Sequence, residues 1–364
     1  MQQVKIHAGT KSYPAIIGSG AIDLLGEIIQ KEADKYSAVM LITDETVAKH
    51  HLSSFRESSG LGRFIEKIVP SGENAKTFDV YYDCLSSALE NKLDRKSLII
   101  SFGGGAVGDL AGFVAATYMR GIRFIQVPTT ILAHDSAVGG KVAVNHQLGK
   151  NMIGAFHQPE AVIYDLDYLK TLPEQEVRSG FAEVIKHSLI SDENFYSWLK
   201  SEIDSLNEIN DSQMLEFLTK GILIKGSYVA EDEKEKGVRA FLNFGHTLGH
   251  AIEAESGYGK VTHGEAVAIG ILFALRLSKD LLGLDFDTAE FKLWLKKLGY
   301  DTGIPKELQR ERLIERMTQD KKAVSGTIRF VLLEKVGKPA LIEVDEKTLM
   351  MNLKKFDEGA ESDD

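Results

Sequence analysis

The chain has 364 residues, 43% hydrophobic and 26% charged, with 43 Lys plus Arg against 53 Asp plus Glu and a formal net charge of −10. That is globular composition, long enough for two domains with cores of their own, and it excludes a disordered chain. The acidic balance excludes a general nucleic-acid binder, which needs a basic face for the phosphate backbone.

The opening residues, Met1-Gln-Gln-Val-Lys-Ile-His7, hold no apolar signal core. Strands are predicted at Val4–Ala8, Ala38–Thr43, Phe64–Val69, Ser97–Phe102, Phe124–Val127 and Ala161–Tyr164, mostly short apolar runs stopped by Gly, Pro or Asp. Helical patterns lie between them, which implies a mostly parallel sheet. The one cysteine, Cys84, excludes an internal disulfide and a multi-thiolate metal site, and fits a reducing cytoplasm. After Leu172-Pro173 helices dominate to about residue 320, and Thr171 with Glu174 reads as a capping box opening the first of them. The mixed run Glu231–Lys236 reads as a solvated turn. The apolar stretch Ala266–Leu275 is too short to span a bilayer, and two strands, Thr327–Leu333 and Ala340–Val344, flank Gly337-Lys-Pro339. Asp357, Glu358, Glu361, Asp363 and Asp364 crowd the end as an acidic, frayed tail.

The fold class expected is α/β: a Rossmann-like, parallel-sheet domain over 1–172, a mainly α-helical domain over 173–356, and the tail over 357–364; their motifs mark the first as dinucleotide-binding and the second as metal- and substrate-binding. A soluble cytoplasmic protein without membrane or nucleic-acid partners follows.

Gly103, Gly105 and Gly108 satisfy G-x-G-x-x-G between the strand Ser97–Phe102 and a helix, where backbone N–H groups can meet a pyrophosphate. No acid follows about twenty residues on; the strand-terminal acid is Asp44, upstream, and Thr129-Thr130 end a further strand. His246 and His250 stand four apart on one helix face, while Thr262-His-Gly-Glu265 is a capping box that puts His263 in the first turn of an apolar helix. Glu183 sits in another apolar helix, three before Lys186 and four before His187. A carboxylate with two imidazoles is a catalytic zinc set, and spacing leaves His187, His246, His250 and His263 all open as its histidines. Arg120, Arg123, Lys141, Lys150, Lys186, Lys225 and Arg239 lie in glycine-rich or apolar company, where a polyanionic substrate would explain them together.

The segments Gly103–Gly112, Gln126–Thr130, Asp135–Lys141, Gly149–Phe156, Gly180–Lys186, Asn243–His250, His263–Val267 and Asp320–Lys322 resemble, in order, those of the 3-dehydroquinate synthases, sugar-phosphate cyclases. The resemblance implies Glu183, His246 and His263 as ligands of Zn2+ or Co2+. It implies an NAD site of Asp44, Glu73, Lys76, Gly105, Ala106, Val107, Gly108, Asp109, Thr129, Thr130, Lys141, Lys150, Tyr168, Leu169, Lys170 and Thr171. Substrate contacts would come from Arg120, Asp135, Lys225, Arg239, Asn243 and one or both of Lys321 and Lys322, with Lys141, Lys150, Asn151, Lys186 and His250 carrying the catalytic work. Between Thr130 and Asp135 the loop is one residue shorter than the family commonly has, which leaves the path around His134 open.

The implied reaction turns the seven-carbon keto acid 3-deoxy-D-arabino-heptulosonate 7-phosphate into 3-dehydroquinate and phosphate, a step of the shikimate pathway. A ring hydroxyl is oxidised, phosphate is eliminated, the hydride is returned, and ring opening with an intramolecular aldol reaction closes the carbocycle. The phosphate can serve as its own base, and a homodimer is the family's habit. The rival readings are another sugar-phosphate cyclase, a metal-dependent polyol dehydrogenase, and a non-catalytic nucleotide-binding module.

Overall fold

The run Leu98-Ile-Ile-Ser-Phe-Gly103 is buried along its whole length, and a strand of that kind needs cover on both faces of its sheet. The computed structural model describes residues 1–31, 36–257, 260–320 and 327–361. The chain divides into two compact units, Met1–Leu172 with Asn210–Glu235, and Pro173–Ile209 with Lys236–Asp364.

The first unit runs β1 (Gln2–His7), β2 (Ser12–Gly18), α1 (Leu24–Gln30), β3 (Val39–Asp44), α2 (Glu45–Ser58), β4 (Ile65–Val69), α3 (Phe78–Glu90), β5 (Leu98–Gly103), α4 (Gly105–Thr117), β6 (Arg123–Pro128), the single turn α5 (Ala133–Ser136), β7 (Lys141–His146), β8 (Gly149–Phe156) and β9 (Val162–Asp165). Seven strands form one sheet in the order β1-β2-β9-β6-β5-β3-β4, parallel except for β1 with β2. Met40, Ile42, Ile99 and Phe124 pack with residues of α3 and α4; Leu41, Leu98, Ile100, Phe102 and Ile125 pack with Leu52 and Phe55 of α2 on the opposite face. Each such buried side chain contributes roughly 1.5–3 kcal/mol. Because β3 lies between β4 and β5, the chain reverses direction there, and the carboxyl ends of β3 and β5 flank the switch point where open α/β sheets bind ligands.

The antiparallel hairpin β7–β8 is not predicted from the sequence, because its glycines and lysines hide the alternation. It lies so close on α4 that a Cβ at Gly112 would come within 2.3 Å of Val142 Cγ1. β2 is also missed, since Pro14 falls inside it and leaves an apolar run of only Ala15-Ile-Ile17.

The second unit opens with α6 (Glu174–Ser191) and α7 (Glu193–Glu202). The next helix, α8 (Asp211–Glu231), belongs to the first unit, where Gly226 lets Ile6 of β1 seat against it. An unbroken second domain over 173–356 is therefore interrupted by α8. The chain then continues through α9 (His246–Ser256), α10 (His263–Leu282), α11 (Thr288–Lys297), α12 (Arg310–Asp320), the antiparallel pair β10 (Thr327–Lys335) and β11 (Lys338–Asp345), and α13 (Glu346–Glu361).

Three local expectations are corrected. α6 has Pro173 at its N-cap and no side-chain cap; Thr171 Oγ1 is instead 2.7 Å from His51 Nε2. The run Glu231–Lys236 does turn, with Glu231, Lys234 and Lys236 exposed, but Glu233 is not left to solvent: it accepts from Thr10 N at 3.1 Å and from Gln158 Nε2 at 2.9 Å. Asp357 belongs to α13 and meets Arg310 Nε at 2.5 Å, so the frayed tail does not begin there; residues 362–364 lie outside the described residues. Cys84 is buried, and burial pushes its thiol up to about 12, so it stays a packing residue. No described helix is long and apolar enough to cross a membrane.

Candidate active site

In the second unit, three helices are brought into backbone contact by glycines. A Cβ at Gly264 of α10 would lie 1.9 Å from Ser179 O on α6, and Gly264 N donates to Ser179 Oγ at 3.1 Å. A Cβ at Gly270 would lie 1.9 Å from the carbonyl oxygen of Gly245, which caps α9 with φ +80°. Thr262 and Glu265 close the capping box at the start of α10, and Arg178 Nη2 donates to Glu265 Oε1 at 2.8 Å. His263 is thereby fixed as the first residue of α10.

This packing brings one ligand atom each from Glu183, His246 and His263 to within 4.8 Å of one another. Of the four histidines that spacing leaves open, His246 and His263 turn Nε2 to Glu183 Oε1, at 3.3 and 3.2 Å. On the far side of each ring, His246 Nδ1 is 3.1 Å from Phe244 O and His263 Nδ1 is 2.9 Å from Glu253 Oε2. Both partners are acceptors, so Nδ1 is the protonated nitrogen and Nε2 the one a metal would take. Burial pushes the pKa of His246 well below its ordinary value and keeps the ring neutral. At His263 burial works the same way, but Glu183 and Glu253 outweigh it and push the pKa up to about 10. The cluster thus draws a cation, and one carboxylate with two imidazoles suits Zn2+ or Co2+ with a position left for substrate.

Lys186, buried on the same helix as Glu183, pairs with Glu183 Oε2. The His250 ring lies 5.2 Å from that of His246 and 5.9 Å from that of His263. Arg239 is buried in the 3-10 segment Val238–Asn243, whose last residue, Asn243, is half-buried. Lys321 and Lys322 lie outside the described residues.

In the first unit, the glycine turn sits at the switch point. α4 has Gly104 at its N-cap and no side-chain cap over Gly105, Ala106 and Val107, which leaves the first-turn N–H groups to a ligand. The glycines also serve internal packing: a Cβ at Gly103 would meet Val107 at 2.7 Å, at Gly105 Ser136 Oγ at 2.9 Å, and at Gly108 Gln126 Oε1 at 2.8 Å. Asp44 caps α2, with Oδ1 accepting from Thr46 N at 2.8 Å, Val47 N at 3.0 Å and Ser71 Oγ at 3.2 Å. Thr129 N donates to Gly103 O at 3.1 Å, and Thr130 O accepts from Tyr164.

The stretch after β9 is mainly turned to protein. Tyr168 packs on Phe102 and His51, Leu169 is buried, and exposed Lys170 lies 2.6 Å from Asp167. One polar network gathers other candidates: Lys76 Nζ is 2.6 Å from Asp109 Oδ2 and 2.5 Å from Asn151 Oδ1, while Asn145 joins Asn151 N at 3.0 Å to Glu73 at 2.6 Å. Burial pushes the Asp109 carboxyl up, against the pull of Lys76. Asn151 takes a left-handed φ of +58°.

Lys225 Nζ is 3.0 Å from Asp135 Oδ2, Lys141 pairs with Glu235, and Lys150 is half-buried. Arg120 is exposed on strained backbone, with φ +70° after Met119 at +49°. His134 is buried in α5 with Nδ1 2.7 Å from Ile131 O, an internal contact that fills the short loop. Sequence reasoning missed Asn145, Glu235 and Glu253. Only Glu253 had a signal: it falls three residues after His250 and seven after His246, on the same face of α9.

A switch-point glycine turn and a carboxylate–imidazole donor set mark the class of α/β enzymes that work with a dinucleotide and a divalent metal. Residues 66–179 match the sequence model described as 3-dehydroquinate synthase N-terminal, and residues 180–323 the one described as 3-dehydroquinate synthase C-terminal. A curated 3-dehydroquinate synthase of Geobacillus thermodenitrificans (strain NG80-2) is 52% identical over 359 residues, covering 98% of each chain. A crystal structure of 2-deoxy-scyllo-inosose synthase with carbaglucose-6-phosphate, NAD+ and Co2+ superposes with a TM-score of 0.88 at 28% identity, over 98% of this chain and 100% of that one. The 2-epi-5-epi-valiolone synthase of Streptomyces hygroscopicus subsp. jinggangensis 5008, with NAD+ and Zn2+ bound, shares the fold with a TM-score of 0.84 at 20% identity, over 96% and 97% of the two chains. The chain belongs to the 3-dehydroquinate synthase family.

Proposed function

We propose that the chain converts 3-deoxy-D-arabino-heptulosonate 7-phosphate into 3-dehydroquinate and phosphate, using NAD and Zn2+ or Co2+. The observation that carries the reading is the convergence of Glu183, His246 and His263 in a chain of this family. When bound, the dinucleotide accepts and returns a hydride while the metal polarises the hydroxyl being oxidised.

The first unit is the nucleotide-binding body. The first turn of α4, Gly105 to Asp109, receives the pyrophosphate. Asp44 holds a ribose hydroxyl through Oδ2, since Oδ1 is taken up by the cap of α2. Glu73, Lys76, Thr129, Thr130, Lys141, Lys150 and Tyr168 to Thr171 complete the site, the last four mainly by shaping its wall.

The second unit is the metal- and substrate-binding body. Lys186, Arg239, Asn243 and His250 belong to it, and Arg120, Asp135, Lys150, Asn151 and Lys225 belong to the first unit. Cations in this set neutralise the substrate's phosphate and carboxylate and fix the leaving group for elimination. Asp135 accepts from a substrate hydroxyl. Asn151, His250 and Lys141 meet the phosphate oxygens, whose own basicity removes the proton. The protein works in the cytoplasm as a homodimer.

The direct test is phosphate release from the heptulosonate phosphate, with and without NAD and a chelator. Release that needs NAD and stops on chelation is expected; release indifferent to both overturns the reading.

A further inference from the structure

We infer that Glu253 is a positioning residue for the metal site, setting the orientation and donor strength of His263. This rests on the reading of Glu183, His246 and His263 as the metal ligands. Glu253 is 8% exposed and places Oε2 2.9 Å from His263 Nδ1, while Nε2 of the same ring lies 3.2 Å from Glu183 Oε1. A carboxylate, an imidazole and the metal position therefore stand in sequence across one ring.

His263 needs such a partner more than His246 does. Each ring stands on the first residue of its helix, but the His263 side chain is 31% exposed against 11% for His246, so less packing restrains it. A ring free to turn over would present carbon instead of Nε2 to the metal. The acceptor at His246 is the neutral carbonyl of Phe244, 3.1 Å away, and the ring is held by its burial. The acceptor at His263 is an anion, which both locks the ring and makes it a stronger donor. α9 supplies the device economically, because His246, His250 and Glu253 share one of its faces.

The test uses the full chain stripped of metal, titrated with Zn2+ against a chromogenic chelator, with the visible spectrum of the Co2+ form as second readout. Glu253→Ala should weaken Zn2+ binding about 10–100-fold and shift the cobalt spectrum. Glu253→Gln, which keeps an acceptor oxygen and loses the charge, should fall between Ala and the native chain. Unfolding of the metal-free proteins shows that the variants are folded, and the Gln variant decides the matter if the Ala variant is not. Zn2+ affinity within twofold of native and an unchanged cobalt spectrum in Glu253→Gln would overturn the inference. Glu183→Gln separates the two readings: if it keeps native metal affinity, the ligand assignment fails, and the inference with it. If it loses the metal while both Glu253 variants keep it, only the inference fails.

Discussion

At the sheet edge of the first unit the cations already face acids, Lys76 at 2.6 Å from Asp109 and Lys225 at 3.0 Å from Asp135. In the second unit two imidazole nitrogens face Glu183 Oε1, at 3.3 and 3.2 Å, while Lys186 pairs with Oε2 of the same carboxylate. The first arrangement is electrostatically closed, so an anionic ligand must exchange for an internal partner. The second keeps one carboxylate oxygen and two imidazoles for a cation, Lys186 having the other oxygen, and is held by backbone contacts at Gly264 and Gly270. Metal binding should therefore be preorganised, and anion binding adjustable.

The largest effect should come from Gly264→Ala. Its new Cβ would lie 1.9 Å from Ser179 O, which neither helix can relieve by a side-chain rotation, so α10 must leave α6. A loss of about 3 kcal/mol or more is expected, together with loss of bound metal, read by denaturant unfolding and metal analysis. Metal retained at native stoichiometry would show that the helix contact does not set the site.

Glu183→Gln should bind metal poorly while unfolding as a normal cooperative protein, since only one donor is weakened. Full metal content with intact activity would remove it from the ligand set. In the first unit, Gly112→Ala places a Cβ 2.3 Å from Val142 Cγ1 and should destabilise by about 1–3 kcal/mol without altering metal content. A change in metal affinity there would erase the contrast between the units. Arg239→Ala should raise the KM for substrate and leave NAD affinity unchanged, as steady-state kinetics and dinucleotide titration can check.

The smallest effect is a pH dependence from His157, whose ring stacks on Phe124 and lies 2.7 Å from Ile122 O. Burial lowers its pKa in the folded state, so the unfolded chain binds a proton first as pH falls below about 6.5. Its contribution is fully present above that pH and declines as pH falls toward the lower folded value. A drop in Tm of about a degree or two on acidification should vanish in His157→Gln.

Much of the central sheet was legible because strands such as Leu98–Gly103 are apolar on both faces. The hairpin carrying Lys141, Lys150 and Asn151 was not, since its glycines answer to α4 and not to a strand pattern. The glycine turn was legible as a motif, but part of its composition reflects contacts to Val107 and Gln126 that only the fold reveals. Spacing could not choose among the histidines, because the choice depends on where α10 crosses α6. The resemblance named Glu183, His246 and His263, and these are the residues that the crossing gathers. Glu253 carried only its spacing from His246 and His250, because its partner comes from the next helix.

The measurement that bears most directly on the account is simultaneous recording of phosphate release and nicotinamide absorbance during turnover of the heptulosonate phosphate. Many equivalents of phosphate per chain with no accumulating NADH are predicted, because the hydride returns in every cycle. One NADH appearing for each substrate consumed, without phosphate, would make the chain a dehydrogenase and contradict the account.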